Sequence, residues 1–326
     1  MKQQQPSSIN LEFPTLGFGC EPLGGTDWGD VDIQDIGEAI VRAVEIGVKY
    51  FDTAPIYGLG LSEERLSKYL GSKRHDVTIG TKVGIDFFQK DKERAVTEVN
   101  LEPSAIVASV EGSLRRLQID SVPLLFVHYP DPKVPKELLI ETLVGLQKTG
   151  KIREFGYSNF ALKDLEEIQK LHPISAAQFQ YSLIQRKAEG SYLRFLRGHN
   201  IKTFAYGVLE RGLLSGKFQN QDIQFPQTDR RHRLPAFIGE DFRRNVERAA
   251  KLTQYALKYG VSVSAVAIRW LQQISSIDVC IAGVKSLKQL ESNWGAECFS
   301  LEAAELSEID SIFNTNQERV RNETAI

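Results

Sequence analysis

The sequence is poor in cysteine and lacks any long apolar run. Its three cysteines, Cys20, Cys280 and Cys298, form no Cys-x-x-Cys pair, which argues against a zinc site or a disulfide framework and fits a reducing compartment. No stretch of about 18 uncharged apolar residues occurs, so no transmembrane helix is expected. Residues 1–10 hold no apolar segment typical of a secretion signal. We therefore expect a cytoplasmic protein without metal or membrane contact.

Charge of one sign is not in excess, because 40 lysines and arginines face 42 aspartates and glutamates, for a formal net charge of −2. This balance gives no electrostatic reason to expect a nucleic-acid partner. Apolar residues make up 42% of the chain, an ordinary proportion for a protein with a sizeable core. No repeat, linker or break in composition occurs, so we expect residues 1–326 to form one domain. The oligomeric state stays open.

Short β-branched runs alternate with longer amphipathic stretches along the chain. Strict alternation of strand and helix predicts a parallel sheet, and eight such units predict closure into a (β/α)8 TIM barrel of the α/β class. The predicted strands are Leu16–Cys20, Val48–Asp52, Val77–Lys82, Pro123–His128, Ile152–Tyr157, Ala176–Gln180, Ile201–Tyr206 and Asp278–Ala282. The predicted helices are Asp35–Ile46, Ser62–Leu70, Ser104–Gln118, Pro135–Thr149, Leu162–Leu171, Gly190–Gly198, Phe242–Tyr259 and Ala303–Phe313.

An open doubly wound sheet is the alternative fold, but the sequence lacks the Gly-x-Gly-x-x-Gly loop that usually follows its first strand. Only fragments of that loop occur, in Gly17–Gly19 and Gly58–Gly60. Residues 84–103, residues 207–240 and the stretch after residue 301 exceed what barrel closure needs. Long segments of this kind, at the C-terminal face of the strands, are typical of binding loops.

Several loop residues are candidates for a substrate pocket, namely Trp28, Phe87, Phe88 and Tyr129. Trp28 follows the first strand and is equally compatible with a pocket wall and with packing between loops. The arginine-rich run 230–233 is interpreted either as a solvated loop, which is favoured, or as a phosphate clamp.

Four candidate catalytic residues stand at or just past the ends of predicted strands, namely Asp52, Tyr57, Lys82 and His128. Side chains at the C-terminal ends of barrel strands meet at one mouth, so we expect these four to lie close together. A tyrosine hydroxyl has a pKa near ~10, too high for acid–base chemistry at neutral pH. A neighbouring ammonium favours the phenolate, and a carboxylate holds that ammonium in place. The four residues therefore predict proton transfer to or from an oxygen.

The chain resembles the aldo-keto reductase family at four motifs that follow one another in the family's order. The catalytic pattern Asp-Thr-Ala-x-x-Tyr-Gly stands at residues 52–58, and Thr-Lys stands at 81–82. A strand-ending histidine stands at 128, before Pro-Asp at 130–131, and Gly-Lys-Ile-Arg-x-x-Gly-x-Ser-Asn at 150–159. The resemblance implies a barrel that binds NADP(H) over its C-terminal mouth. It also implies hydride transfer between nicotinamide C4 and a carbonyl carbon.

The same resemblance implies a role for each candidate catalytic residue. Tyr57 would be the general acid or base, and Lys82 would lower its pKa. Asp52 would anchor Lys82, and His128 would orient the substrate oxygen or share in the proton relay.

Cofactor-binding residues also follow from the resemblance. Ser158, Asn159 and Gln178 would hold the nicotinamide carboxamide, and Tyr206 would stack under the ring. The adenosine 2′-phosphate and adenine would be bound by Gly283, Lys285, Ser286, Gln289 and Asn293, where free N–H groups at a helix N-terminus suit a phosphate. Lys285 and Gln289 stand where the family often has arginine, and a lysine lacks the guanidinium group that can donate two hydrogen bonds to one phosphate. NADP(H) is therefore favoured, with use of NAD(H) as the alternative.

The predicted function is NADP(H)-dependent interconversion of an aldehyde, ketone or aldose with the corresponding alcohol, and the predicted partner is that small molecule. One alternative is a non-enzymatic, cofactor-sensing regulatory subunit of the same fold, which the lack of an obvious N-terminal interaction arm disfavours. A second is a cofactor-independent lyase that uses Lys82 for a Schiff base, which the candidate cofactor-binding residues disfavour. The physiological substrate is not predicted.

Overall fold

Eight parallel strands close into a barrel in the computed structural model, which describes residues 11, 13–89, 95–218, 223–274 and 276–313. The strands are β1 (Leu16–Gly19), β2 (Tyr50–Asp52), β3 (Thr78–Val83), β4 (Ile85–Gln89), β5 (Ala95–Val99), β6 (Val122–Val127), β7 (Ile152–Ser158), β8 (Ala176–Gln180), β9 (Lys202–Tyr206) and β10 (Val279–Gly283). Around the barrel the order is β1-β10-β9-β8-β7-β6-β3-β2. The predicted TIM barrel is confirmed, and the open doubly wound alternative is wrong.

Helices surround the barrel, and most match the predicted ones within a few residues. They are α1 (Ile33–Glu45), α2 (Leu61–Leu70), α3 (Pro103–Leu117), α4 (Lys136–Lys148), α5 (Leu162–Leu171), α6 (Ser191–Gly198), α7 (Gly239–Ala250), α8 (Thr253–Tyr259), α9 (Val263–Gln272), α10 (Leu287–Trp294) and α11 (Ala303–Phe313). None of the helices in the described ranges is long and apolar enough to cross a membrane.

Two helical predictions need correction. The predicted helix Phe242–Tyr259 is broken into α7 and α8 by a turn at Lys251 and Leu252. The apolar periodicity runs through this break, so the sequence hides it. Helix α9 is absent from the predicted set because seven of its ten residues are buried. A helix buried nearly all round has no clear amphipathic pattern.

Within residues 84–103, predicted as a long binding loop, β4 and β5 form an antiparallel strand pair, here called the hairpin. The hairpin leaves the C-terminal end of β3 and is tied to the loop after β6, because Leu101 N donates to Asp131 Oδ2 at 3.2 Å. The side chain of Phe88 lies outside the described part of the structure, as do residues 314–326 of the C-terminal stretch.

Side-chain caps place the starts of helices that flank the barrel mouth. The carboxylate of Asp32 accepts from Gln34 N and Asp35 N at the start of α1. Ser286 accepts from Gln289 N at the start of α10, directly after β10. Such caps each contribute roughly 1 kcal/mol, because they satisfy N–H groups that the helix itself leaves open.

Aromatic side chains fill the barrel interior and close its N-terminal end. Phe13 lies across that end, with its ring edge-on to Tyr50 at 5.8 Å and to Phe204 at 5.0 Å. The Tyr50 ring occupies space left by two glycines, since a Cβ on Gly17 would lie 2.6 Å from its Cδ1 and one on Gly80 2.3 Å from its hydroxyl. Polar side chains therefore gather at the opposite, C-terminal mouth.

Two loops meet over this mouth. Residues 20–32, here called the first loop, follow β1, and residues 226–234, here called the strap, belong to the long segment after β9. Gly29 N donates to Thr228 O at 3.1 Å, and Arg230 N donates to Asp27 O at 3.0 Å. An isolated bridge between Trp28 and Asp229 continues the pairing. The apolar cluster beneath the strap contains Leu213, Phe218, Phe237, Phe242 and Val246.

Candidate active site

Asp52 and Lys82 form a buried ion pair near the C-terminal ends of β2 and β3. The two residues are 4% and 2% exposed, and Lys82 Nζ lies 2.6 Å from Asp52 Oδ1. The ammonium also donates to the backbone carbonyl of Thr53 at 2.9 Å. Removal of either partner would leave an uncompensated buried charge, so each residue holds the other in position.

Three donors converge on the Asp52 carboxylate. Lys82 binds Oδ1, while Oδ2 accepts from the side-chain amide of Gln178 at 2.7 Å and from the Tyr50 hydroxyl at 3.2 Å. Strand β8, which carries Gln178, lies across the barrel from β2. The contact of Gln178 with the carboxylate does not follow from any sequence motif, because it depends on which strands face each other. The contact of Tyr50 is local, since Tyr50 and Asp52 lie two residues apart on the same face of β2.

Tyr57 lies next to the ion pair in the loop after β2. Lys82 Nζ is 5.1 Å from the centre of its ring, and the His128 ring is edge-on to it at 6.3 Å. Two glycines hold this loop against the first loop. A Cβ on Gly24 would lie 2.7 Å from the Tyr57 carbonyl carbon, and one on Gly58, where φ is +62°, would lie 2.2 Å from the Gly24 oxygen. The structure thus brings together all four predicted catalytic residues.

Burial raises the pKa of the Tyr57 phenol well above its usual value. The carboxylates of Glu21 and Asp52 raise this pKa further, and Arg230 opposes them more weakly. The sequence predicts the opposite direction, with Lys82 lowering the pKa. The difference arises because Asp52 balances the Lys82 charge, so desolvation dominates. The phenol accordingly keeps its proton at neutral pH, as a proton donor requires.

His128 directly follows β6 and is buried. Burial lowers the pKa of its imidazole well below the usual value, and the Lys82 ammonium lowers it further. The imidazole is therefore neutral at pH 7. The ring of Tyr129 stacks on it at 5.0 Å and is 41% exposed, which places Tyr129 at the rim of the mouth.

Asn159 lies at the centre of a second polar group, made of residues predicted to bind the nicotinamide. Its φ is 62°, a left-handed conformation that asparagine tolerates. Its Nδ2 donates to the His128 carbonyl at 3.0 Å and to Ser158 Oγ at 3.1 Å. Its Oδ1 accepts from the Tyr206 hydroxyl at 2.6 Å, and Ser158 Oγ lies 3.4 Å from Gln178 Oε1. A continuous hydrogen-bonded chain therefore joins Tyr206 to the buried ion pair.

The start of α10, predicted to offer free N–H groups to a phosphate, has acceptors of its own. Lys285 N donates to Gln289 Oε1 at 2.9 Å, and Gln289 N donates to Ser286 Oγ at 3.1 Å. Leu287 N donates to Asp35 Oδ1 at 2.8 Å. Three N–H groups are thus already satisfied. The carboxylate of Asp35, which no sequence pattern links to this position, stands at the helix end.

Other residues near α10 keep features that suit a ligand. Asn293 is buried, and its Nδ2 has no hydrogen-bond partner among the described residues. Gly283 is exposed at the end of β10, with open space where a Cβ would lie. Lys285 Nζ donates to the Trp28 carbonyl at 2.8 Å. The Trp28 ring lies 5.3 Å from the Arg230 guanidinium and 5.9 Å from Lys285 Nζ, so it packs the loops against one another.

Lys217, Arg231 and Lys285 form a group of cations that the sequence does not predict as a unit. Arg231 is buried and its Nε donates to Asp229 Oδ1 at 2.9 Å. More than a third of Lys217 is exposed, with its ammonium 4.9 Å from the Phe218 ring centre. Partial desolvation and the charges of Arg231 and Lys285 together lower the Lys217 pKa to about 8, against the opposing charge of Asp229. Like charges held together in this way favour an anion. No sequence signal marks a single lysine in a long loop.

Two arginines of the strap, Arg230 and Arg233, form ion pairs with the first loop. Arg230 contacts Glu21 at 2.6 Å and Asp27 at 3.2 Å, and Arg233 contacts Asp27 at 2.8 Å. The favoured interpretation of this run as a solvated loop is wrong for the arginines at 230 and 231, the second of which is buried.

The sequence and the fold match those of known proteins. The model of the Aldo/keto reductase family matches residues 15–314. Aldo-keto reductase YhdN of Bacillus subtilis (strain 168) is 33% identical over 315 residues, which cover 96% of this chain and 93% of that protein. Aldo-keto reductase yakc of Schizosaccharomyces pombe, whose name specifies NADP(+), is 29% identical over 305 residues and 92% and 88% of the two chains. The structure of glycerol dehydrogenase AKR11B4 from Gluconobacter oxydans has a TM-score of 0.84 at 30% identity, with 94% of each chain covered.

The chain belongs to the aldo/keto reductase family, as its motifs predict. It is an oxidoreductase that interconverts carbonyl compounds and alcohols with a nicotinamide cofactor. Neither the comparisons nor the site geometry favours the non-enzymatic alternative. The lyase alternative does not fit the family to which the chain belongs, and Lys82 Nζ already donates to Asp52 and to the Thr53 carbonyl.

Proposed function

We propose that this chain is an NADP(H)-dependent reductase of small aldehydes, ketones or aldoses, and equally a dehydrogenase of the matching alcohols, acting as one domain over residues 1–326. The observation that carries the proposal is the meeting of Tyr57 and His128 with the Asp52–Lys82 ion pair in one barrel mouth. The name of the S. pombe relative supports NADP as cofactor. The name of the glycerol dehydrogenase supports substrates as small as three carbons.

A nicotinamide cofactor fits the residues present. Polar groups near the ion pair suit the carboxamide. The Asn293 amide in α10, which has no partner among the described residues, suits the adenine, and the cation group suits the phosphates. The residues that would hold these parts are Ser158, Asn159, Gln178 and Tyr206 for the nicotinamide, and Lys217, Arg231, Gly283, Lys285, Ser286, Gln289 and Asn293 for the remainder. When bound, the cofactor supplies a hydride to the carbonyl carbon or takes one from the alcohol.

Tyr57 donates its proton to the carbonyl oxygen as negative charge develops there. Its raised pKa keeps the phenol protonated at pH 7, so the proton is in place before each turnover. Lys82, 5.1 Å from the ring centre, stabilises the phenolate that donation leaves behind. Asp52 keeps that ammonium in position.

His128 contributes as a neutral imidazole. Its lowered pKa leaves it uncharged at pH 7, so it orients the substrate oxygen by a hydrogen bond and adds no second cation beside Lys82. Asn159, bonded to the His128 carbonyl at 3.0 Å, couples the position of this loop to the nicotinamide-binding group.

Substitution of Tyr57 by phenylalanine tests the proposal. General acid catalysis is typically worth ~10²–10⁴ in rate, so Tyr57→Phe should lower carbonyl reduction by about a hundredfold or more. NADPH affinity, measured by fluorescence titration, should change by less than a few-fold, because the phenol is needed for proton transfer and not for cofactor contact.

Tyr69→Phe is the matched control, because Tyr69 packs against Gly37 of α1, outside the barrel. Its activity should equal that of the wild type. If Tyr57→Phe kept more than a tenth of wild-type turnover, the proposal would be wrong. NADPH binding without turnover of any carbonyl compound would instead favour the regulatory alternative.

A further inference from the structure

The barrel mouth carries a charged pair that the proposed chemistry does not use. Glu21 begins a short helix, Glu21–Gly24, soon after β1, and Arg230 lies in the strap. Glu21 Oε1 and Arg230 NH1 are 2.6 Å apart, and their side chains are 29% and 25% exposed. Both charges are therefore within reach of a small molecule that enters the mouth.

This pair lies close to the reactive tyrosine. Gly24, in the same short helix as Glu21, packs against the backbone of Tyr57. The charges of Glu21 and Arg230 act on the same two phenols, since the first raises and the second lowers the pKa of Tyr57 and of Tyr129. Because Tyr129 stacks on the His128 ring at the rim, the pair lies beside the mouth that holds both phenols.

A carboxylate next to a guanidinium suits hydroxyl groups. A hydroxyl donates to a carboxylate oxygen and accepts from a guanidinium N–H, and both hydrogen bonds are charge-assisted. An apolar aldehyde in the same position would desolvate the two charges without any compensating hydrogen bond. A substrate with hydroxyls next to its carbonyl therefore matches this wall better than an alkyl aldehyde does.

We propose that Glu21 and Arg230 bind the hydroxyl groups of a polyhydroxylated carbonyl compound, such as a short hydroxyaldehyde or aldose, and of the matching polyol. This inference rests on the proposed function, because it concerns the substrate of the same site. It assigns specificity to residues of two loops that the catalytic motifs do not contain.

Glyceraldehyde and propanal form a suitable substrate pair, because both are three-carbon aldehydes and only the first carries hydroxyls. The wild type should have the higher kcat/KM for glyceraldehyde. Glu21→Gln should lower that value about tenfold, largely through KM, because a charge-assisted hydrogen bond becomes a neutral one. Its kcat/KM for propanal should stay within about twofold. Arg230→Lys keeps the positive charge but loses the bidentate guanidinium, so it should lower kcat/KM for glyceraldehyde by a smaller factor.

Arg233→Gln is the control, because it breaks the ion pair with Asp27 that joins the same two loops. If the Glu21–Arg230 pair only tied the loops together, Arg233→Gln would reproduce the effect of Glu21→Gln, or Glu21→Gln would slow both aldehydes equally. Either result overturns the proposal, as does a wild type that treats the two aldehydes alike. The proposed function fails differently: the wild type would then bind NADPH and reduce neither aldehyde, and this inference would fall with it.

Discussion

The hydroxyl of Tyr50 donates to Oδ2 of Asp52 across 3.2 Å from inside the barrel. Its ring fills the space left by Gly17 and Gly80 on the neighbouring strands, so the hydroxyl has one position. Lys82 binds the other carboxylate oxygen at 2.6 Å. Tyr50 therefore positions the carboxylate that in turn anchors the lysine.

Tyr50→Phe should lower kcat about three- to tenfold and leave NADPH affinity unchanged, because the carboxylate loses one donor and holds Lys82 less firmly. The free energy of unfolding should fall by about 1–2 kcal/mol, the typical worth of such a hydrogen bond. Steady-state kinetics and urea unfolding measure the two effects.

Tyr157→Phe is a matched control for Tyr50→Phe. The Tyr157 hydroxyl is buried and has no hydrogen-bond partner among the described residues, so its removal should cost neither activity nor stability. An unchanged kcat in Tyr50→Phe, combined with a loss of stability, would show that Tyr50 supports the fold alone.

The barrel and the meeting of the four candidate catalytic residues at one mouth could be predicted because both follow from local pattern. Strand–helix alternation specifies the closed parallel sheet, and residues such as Asp52 and His128 stand at strand ends, which all open at the same mouth. What could not be predicted depends on pairs of residues far apart in the chain. Gln178 reaches Asp52 only because β8 lies opposite β2, and Asp35 reaches α10 only through the packing of α1.

Burial also decides the pKa shifts of Tyr57 and Lys217, which the sequence leaves open. The direction of the Tyr57 pKa shift depends on how strongly desolvation competes with the neighbouring charges. Lys217 gains its depressed pKa from desolvation first, and then from Arg231 and Lys285, which come from other parts of the chain. Neither balance can be read from residue spacing.

Lys217 should make NADPH binding depend on pH. Because its pKa is lowered to about 8, the ammonium is present below that pH and is lost as the pH rises through it, well before an ordinary lysine would titrate. The affinity for the cofactor phosphates should therefore be high near pH 7 and fall above pH 8. Fluorescence titrations between about pH 6.5 and 9.5 measure the profile.

Two substitutions of Lys217 separate charge from contact. Lys217→Arg stays charged throughout this range, so its NADPH affinity should remain high and nearly flat. Lys217→Met should bind weakly at every pH. A wild-type profile without an inflection would contradict the prediction, and the same inflection in Lys217→Arg would show that another group titrates.

Lys285→Ala should weaken NADPH binding about tenfold and NADH binding little, if the ammonium contacts the 2′-phosphate. A charge-assisted hydrogen bond is worth roughly 1.5–3 kcal/mol, but Lys285 Nζ must first leave the Trp28 carbonyl. Raised salt should reduce the preference of the wild type for NADPH over NADH, because salt screens the partly exposed pair of the Lys285 ammonium and the 2′-phosphate. Lys288→Ala, at an exposed position on α10, is the control. Equal losses for both cofactors would place Lys285 at the pyrophosphate or in the fold.

Asp35→Asn should strengthen NADPH binding several-fold. The Asp35 carboxylate stands at the N-terminus of α10, 2.8 Å from Leu287 N, where it repels a phosphate bound at the same helix end. Asparagine keeps an oxygen that can accept from Leu287 N, so the substitution removes the charge and retains the hydrogen bond.

NADH carries no 2′-phosphate, so its affinity for Asp35→Asn should stay within about twofold of the wild-type value, and the ratio of the two dissociation constants isolates the effect of the charge. Asp32→Asn is the control, because Asp32 caps the same helix α1 through Gln34 N and Asp35 N and asparagine is an equally good cap. If Asp35→Asn changed NADPH and NADH binding by the same factor, the carboxylate would not face the 2′-phosphate, and the limited NADP selectivity expected for this chain would need another cause.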